Sequence, residues 1–351
     1  MKFEKNCYEI RLESIGGLGA NLAGKILGET GALYMGLNSS NFASYGSEKR
    51  GSPVKSFVRF AEKGHEIRIN SPIEKPDILI LFHERLAGKA QVMAGADEKT
   101  SIIVNSSESN EFLRDRLKIY AGTLYKVDAL ALAAKNKTRV NMVMLGAAAK
   151  ASGFIPLDKL CEAVTDTLGK KYPLSVEGNI NGIKAGYDNA IPYEIKPDGK
   201  YPYIEYEELK QDWGYDNAPI GGINPIFGST VTNDLTASRE GYIPIFNKEL
   251  CINCGLCSST CPDMVYQFKE GEYKGKISMV NLGPDYTHCK GCLRCVEVCP
   301  TKAITEGNER EYDISKTDIK NISLITDNFK LEDTGQNSWV ESVSNTVNSL
   351  E

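Results

Sequence analysis

Two runs of cysteine constrain this chain more than any other feature: Cys251-Ile-Asn-Cys254-Gly-Leu-Cys257-Ser-Ser-Thr-Cys261-Pro262 and Cys289-Lys-Gly-Cys292-Leu-Arg-Cys295-Val-Glu-Val-Cys299-Pro300. Each spells C-x2-C-x2-C-x3-C-P, the spacing that wraps three thiolates around an iron-sulfur cubane and sends the fourth to a neighbouring cluster. The expected ligand sets are therefore crossed. Cys251, Cys254, Cys257 and Cys299 would hold one [4Fe-4S] cluster, and Cys289, Cys292, Cys295 and Cys261 the second. Zinc needs only four ligands from two C-x2-C pairs, which leaves the third and fourth cysteine of each run without a purpose. Disulfides fit poorly as well, because eight of the ten cysteines crowd into two short runs of a 351-residue chain. Cys7 and Cys161, in apolar-patterned segments far from the runs, read as buried structural thiols. His288 beside Cys289 reads as a surface or ligand-supporting residue, since eight thiols already satisfy two clusters.

The stretches 247–268 and 285–306 look like copies of one unit, as a domain with two clusters requires. Between the runs, Val265, Tyr266 and Phe268 face Ile277, Met279 and Val280 across Gly271 and Gly275, a hairpin pattern. Residues 247–306 are thus expected to form an α+β domain of the bacterial two-cluster type.

The first half has a different grammar. Tyr8 to Ile15 alternate apolar with charged positions, the pattern of a half-buried strand, and Gly16-Gly17-Leu18-Gly19 then gives way to a helical pattern over Asn21 to Leu37. Val54 to Phe60 and Glu66 to Ile69 suggest a hairpin around Lys63-Gly64. Ile78 to Phe82 and Ser101 to Val104 are continuous apolar runs, typical of strands covered on both faces. Helical patterns follow at Asp128 to Lys135, Asn141 to Lys150 and Leu157 to Leu168. Residues 1–190 are expected to form an α/β domain on a largely parallel sheet. Residues 191–246, rich in Pro, Gly, Asn, Asp and Tyr, read as an extended linker, and 307–351 as a polar tail too poor in apolar residues for a core.

Several function classes fall away. A net charge of -5 without clustered Lys and Arg argues against nucleic acid. No apolar run reaches the length of a membrane span, and the opening MKFEKNCYEIRLES lacks a continuous apolar stretch, so a cytoplasmic chain is expected. Gly17-Leu18-Gly19 begins like a dinucleotide fingerprint, but Leu22 takes the third glycine position and no acidic residue ends a second strand about 20 residues on. What survives is a helix N-terminus with free amides behind Gly16, Gly17 and Gly19, suited to a phosphate or carboxylate, or else simply close strand-helix packing. Lys49 and Arg50, in the polar loop Ser44 to Val54, suit an anionic ligand or a partner's acid, or else a solvated loop.

Taken together, the chain resembles the 2-oxoacid:ferredoxin oxidoreductases, which are thiamine-dependent. Ser14 to Gly19, the loop with Glu48, Arg50, Gly51 and Pro53, Lys75-Pro76-Asp77-Ile78 and Asn141 to Gly146 are similar to the gamma subunit. Residues 247–305 are similar to the ferredoxin-like delta subunit, so the whole resembles a gamma-delta fusion. The family's thiamine motif, GDG followed by a distant NN, has no match here. The resemblance implies thiamine diphosphate and Mg on partner alpha and beta subunits, electron passage through two [4Fe-4S] clusters here, and an external ferredoxin as acceptor. It also implies that the gamma-like domain helps bind coenzyme A, with Gly16, Gly17, Gly19, Lys49 and Arg50 facing its phosphates. The competing reading is an iron-sulfur electron-transfer and docking subunit of a different redox complex.

Overall fold

The computed structural model describes residues 7–45, 53–88, 92–207, 234–239 and 241–320. By its internal contacts the chain divides into two units, Met1–Leu209 and Lys210–Glu351.

The first unit is built on seven strands: β1 (Tyr8–Ile15), β2 (Asn38–Tyr45), β3 (Pro53–Ala61), β4 (Ile78–Leu81), β5 (Ser101–Asn105), β6 (Gly122–Val127) and β7 (Ile191–Ile195). Their order is β2-β3-β1-β4-β5-β6-β7. The centre, β1-β4-β5-β6, is parallel, and β3, β2 and β7 add antiparallel flanks. Among the described residues six α-helices cover it: α1 (Ala20–Glu29), α2 (Asn110–Leu117), α3 (Ala129–Lys135), α4 (Val140–Ser152), α5 (Leu157–Gly169) and α6 (Val176–Asn189). The apolar runs of β4 and β5 are buried on both faces, as a parallel centre demands. Helix α4 is buried from Val140 to Ala149. It meets α6 at backbone distance, because a Cβ on Gly146 would lie 1.8 Å from the Ile183 carbonyl oxygen and one on Gly186 would lie 1.9 Å from that of Val143. Only glycine permits that approach.

Three local expectations need correction. Strand β1 is not half-buried: Arg11 is 0% and Glu13 3% exposed. Segments distant in sequence cover its charged face. Arg11 donates from Nη1 to the Ile73 carbonyl at 3.0 Å and from Nη2 to those of Val92 and Ala94 at 2.9 and 2.6 Å. Its Nε lies 3.2 Å from Glu13 Oε1, and Lys55 Nζ approaches the same oxygen at 3.3 Å. These partners and bonds make the burial of both charges tolerable. Secondly, β3 pairs with β1 and with the upstream β2, not with 66–69. Strand β2 was hidden in the polar sequence NSSNFASY, whose residues are half-buried or exposed at the sheet edge. Thirdly, the helix after the glycine turn ends at Glu29, and a wider turn over Thr30–Tyr34 leads into β2.

The second unit contains two antiparallel pairs, β8 (Tyr242–Phe246) with β11 (Ile304–Asn308), and the hairpin β9 (Tyr266–Tyr273) with β10 (Lys276–Pro284). The span read as a linker therefore supplies two strands, β7 and β8. The start of the span read as a tail is also held: Asp318 Oδ1 accepts from the Tyr286 amide at 3.0 Å, and the Ile319 amide donates to the Pro284 carbonyl at 3.0 Å.

The cysteine halves repeat one backbone path. Asn247 and Asp285 each cap a short turn with the side chain, accepting from the Glu249 and Thr287 amides. Left-handed residues then recur in matched pairs, Asn253 with Gly291, Gly255 with Leu293, and Met264 with Lys302. One-turn helices, Leu256–Thr260 and Arg294–Val298, end at Cys261 and Cys299.

Candidate functional site

That repeated path bends the first three thiols of a run around one point and releases the fourth at the end of the helical turn. One cavity is lined by Cys251, Cys254, Cys257 and Cys299, with Ile252, Gly255, Leu256, Asn281, Pro300, Thr301, Ala303 and Ile304. The other is lined by Cys261, Cys289, Cys292 and Cys295, with Pro244, Asp263, Val265, Lys290, Leu293 and Arg294. Each cavity thus draws three cysteines from one run and one from the other.

The surroundings of the sulfurs are specific. At equivalent places the Asn253 amide donates to Cys251 Sγ and the Gly291 amide to Cys289 Sγ, both at 3.4 Å. Asn281 Nδ2 adds a 3.4 Å donor to Cys257 Sγ. Asn281 is held there because its own amide donates to Asn253 Oδ1 at 2.9 Å. Such donors stabilise negative charge on sulfur. Burial pushes the Cys257 and Cys289 thiols up to about 12 and that of Cys295 up to about 11. As free thiols these three keep their protons at neutral pH, so the thiolate form requires a metal to replace the proton. Four soft sulfurs, amide donors to sulfur and largely apolar walls are the donor set that a [4Fe-4S] cluster takes.

The remaining cysteines stand apart. Cys7 and Cys161 are half-buried, and burial raises both thiols. His288 is not a surface residue: it is buried, with Nε2 3.5 Å from Asp285 Oδ2, and the Asp285 carboxylate also caps the turn before Cys289.

In the α/β unit, Gly16, Gly17 and Gly19 form the turn between β1 and α1. The Leu18 amide closes it onto the Ile15 carbonyl at 3.3 Å, with Gly17 at φ 114° and Gly19 at φ 82°. Gly19 caps α1 with no side-chain hydrogen bond. Its carbonyl accepts from Asn141 Nδ2 at 3.3 Å, and a Cβ on Gly19 would lie 2.6 Å from that nitrogen. Asn141 is 1% exposed, and its Oδ1 has no hydrogen-bond partner among the described residues. Sequence reasoning noted Asn141 only within the stretch Asn141 to Gly146. Its place against the glycine turn, across 122 positions of chain, carries no local signal. Lys49 and Arg50 lie outside the described residues. Among the described residues no helix is long and apolar enough to cross a membrane.

Comparison with known proteins covers both units. The family described as pyruvate ferredoxin/flavodoxin oxidoreductase matches residues 9–189, and a 4Fe-4S dicluster domain matches residues 245–306. Pyruvate synthase subunit PorC of Thermotoga maritima is 31% identical over 191 residues, covering 54% of this chain and 97% of that protein. Pyruvate-flavodoxin oxidoreductase of a Nostoc species is 24% identical over 354 residues, covering 84% of this chain and 29% of that protein. The crystal structure of the Thermotoga maritima pyruvate oxidoreductase subunit PORC aligns at 26% identity with a TM-score of 0.48, covering 54% of this chain and all (100%) of that one.

Proposed function

The chain belongs to the pyruvate ferredoxin/flavodoxin oxidoreductase family, and on that premise we propose that it is the electron-transfer subunit of a thiamine-dependent 2-oxoacid oxidoreductase. In this reading alpha- and beta-type partner subunits carry thiamine diphosphate and Mg, and a ferredoxin takes the electrons. The complex is cytoplasmic. The observation that carries the reading is the pair of cavities, each lined by four cysteines drawn from both runs, in one chain with the family's α/β domain. Cys251, Cys254, Cys257 and Cys299 hold one [4Fe-4S] cluster, and Cys289, Cys292, Cys295 and Cys261 the other. When bound, the clusters supply one-electron transfer.

The residues of this chain do the rest. Thiolates fix the iron, the Asn253 and Gly291 amides and the Asn281 side chain neutralise charge on sulfur, and apolar walls limit water. In the α/β unit, the amides of α1 behind Gly16, Gly17 and Gly19, with Lys49 and Arg50, receive the phosphates of coenzyme A. Gly19 is unsuitable for a test by substitution, since any side chain there meets Asn141 and a left-handed backbone.

Reconstitution tests the proposal. The anaerobically purified chain is expected to accept electrons from a strong chemical reductant but to oxidise no 2-oxoacid alone. Adding thiamine-binding partner subunits should give bleaching of the iron-sulfur absorbance that depends on a 2-oxoacid, and the assembled complex should bind labelled coenzyme A. Oxoacid oxidation by the isolated chain would overturn the subunit reading. Failure with every oxoacid after assembly would favour a different redox complex, and absence of coenzyme A binding would remove that part alone.

A further inference from the structure

Residues 234–239 precede the first cysteine run but lie across the second. The Leu235 amide donates to the Thr287 carbonyl at 2.8 Å, and Arg239 Nη1 donates to the Tyr286 carbonyl at 3.0 Å. That same carbonyl accepts from the Cys289 amide at 3.3 Å. One oxygen therefore ties the guanidinium and the backbone of Cys289 to a common point. The stem of Arg239 also packs on Gly291, where a Cβ would lie 3.1 Å from Arg239 Cγ. Arg239 is 4% exposed, and its Nε is buried with no hydrogen-bond partner among the described residues. Its Nη2 pairs with Glu309 Oε1 at 2.7 Å. A guanidinium does not give up its proton in a protein, so a fixed positive charge sits beside the second run, paired with the Glu309 carboxylate.

Arg239 stands behind the wall of the second cavity and does not line it. Apart from its cysteines, every residue lining the first cavity is uncharged, whereas Asp263, Lys290 and Arg294 line the second. Lys290 and Asp263 pair with each other at 3.2 Å, Arg294 is the other cation of the wall, and Arg239, paired with Glu309, adds a further one from outside the repeat. We propose that Arg239 is a positioning charge that raises the reduction potential of the cluster held by Cys289, Cys292, Cys295 and Cys261, and so makes the two clusters unequal. The inference rests on the proposed cluster ligation. Its physical basis is that reduction adds one negative charge to the cluster, and a buried cation nearby stabilises the reduced form more than the oxidised one.

The test is a potentiometric titration of the full chain, followed by electron paramagnetic resonance so that the two clusters are read separately, after iron and sulfide content has been measured. Arg239→Gln is expected to lower the reduction equilibrium constant of the second-run cluster about tenfold, or about 59 mV for one electron, and to leave the first-run cluster unchanged. Arg239→Lys, which keeps the charge, should restore most of that shift. Glu309→Gln should move the same cluster the other way. Loss of all iron-sulfur signal in the unsubstituted chain would defeat the ligation reading itself. With both clusters present, an unchanged potential in Arg239→Gln, or an equal shift of both clusters, would overturn the role given to Arg239. If Arg239→Gln fails to assemble its clusters, Glu309→Gln decides: a rise confined to the second-run cluster supports the proposal, and no rise refutes it.

Discussion

In the α/β unit the buried cluster runs from Ile10 and Leu12 of β1 through Ile26 and Leu27 of α1 to Val143, Leu145 and Ile183, whereas in the second unit three of the nine residues of the buried cluster are Cys257, Cys289 and Cys295. The first core is filled by its own carbon, and each fully buried Ile, Leu or Val in it contributes about 1.5–3 kcal/mol. The second core closes around two cavities, each lined in part by four cysteines. Small units that cannot bury enough apolar surface are commonly held by metal instead. The difference teaches that the two halves of this chain should fail for different reasons.

Iron removal should separate them most. Anaerobic chelation is expected to unfold the second unit while the α/β unit persists, which hydrogen exchange would read as lost protection in β8 to β11 with protection retained in β4 and β5. Equal loss in both units, or in neither, breaks the comparison. Reassembly should strengthen as pH rises from about 6.5 to 8.5, because the thiols of Cys257, Cys289 and Cys295, all raised by burial, must release protons to bind iron.

The next largest effect is Cys261→Ala. Although Cys261 belongs to the first run in sequence, its cavity is that of Cys289, Cys292 and Cys295, so the variant should lose or alter the second-run cluster and keep the first-run spectrum. Change confined to the first-run cluster would mean local ligation.

Smaller, and opposite in location, is Gly186→Val. A Cβ there would lie 1.9 Å from the Val143 carbonyl oxygen, so the α4–α6 crossing must open. The α/β unit should lose about 3 kcal/mol in denaturant unfolding, with the iron content of the chain unchanged. Reduced iron at full α/β stability would show that the halves are not independent.

How far the sequence was legible follows from the same contrast. Three of the four cysteines of each cavity fall within one run, so the spacing Cys251 to Cys257 and Cys289 to Cys295 carries most of the expected geometry, and the apolar runs of β4 and β5 announce a buried sheet. Three features needed distant chain. The burial of Arg11 and Glu13 depends on carbonyls at Ile73, Val92 and Ala94; an alternating strand with charges cannot announce that cover. Strand β2 is poor in apolar residues because it is an edge partner of β3, and its pairing shows only in the register Asn38 with Ala61 to Tyr45 with Val54. Arg239 meets Tyr286 across 47 positions from a stretch that reads as linker, and nothing in its neighbours marks it.

The most direct measurement of the central claim is the iron, acid-labile sulfide and zinc content of the full chain purified without oxygen. Two [4Fe-4S] clusters require about eight irons and about eight sulfides per chain. Stoichiometric zinc with no inorganic sulfide, the composition of a thiolate zinc site, would contradict it.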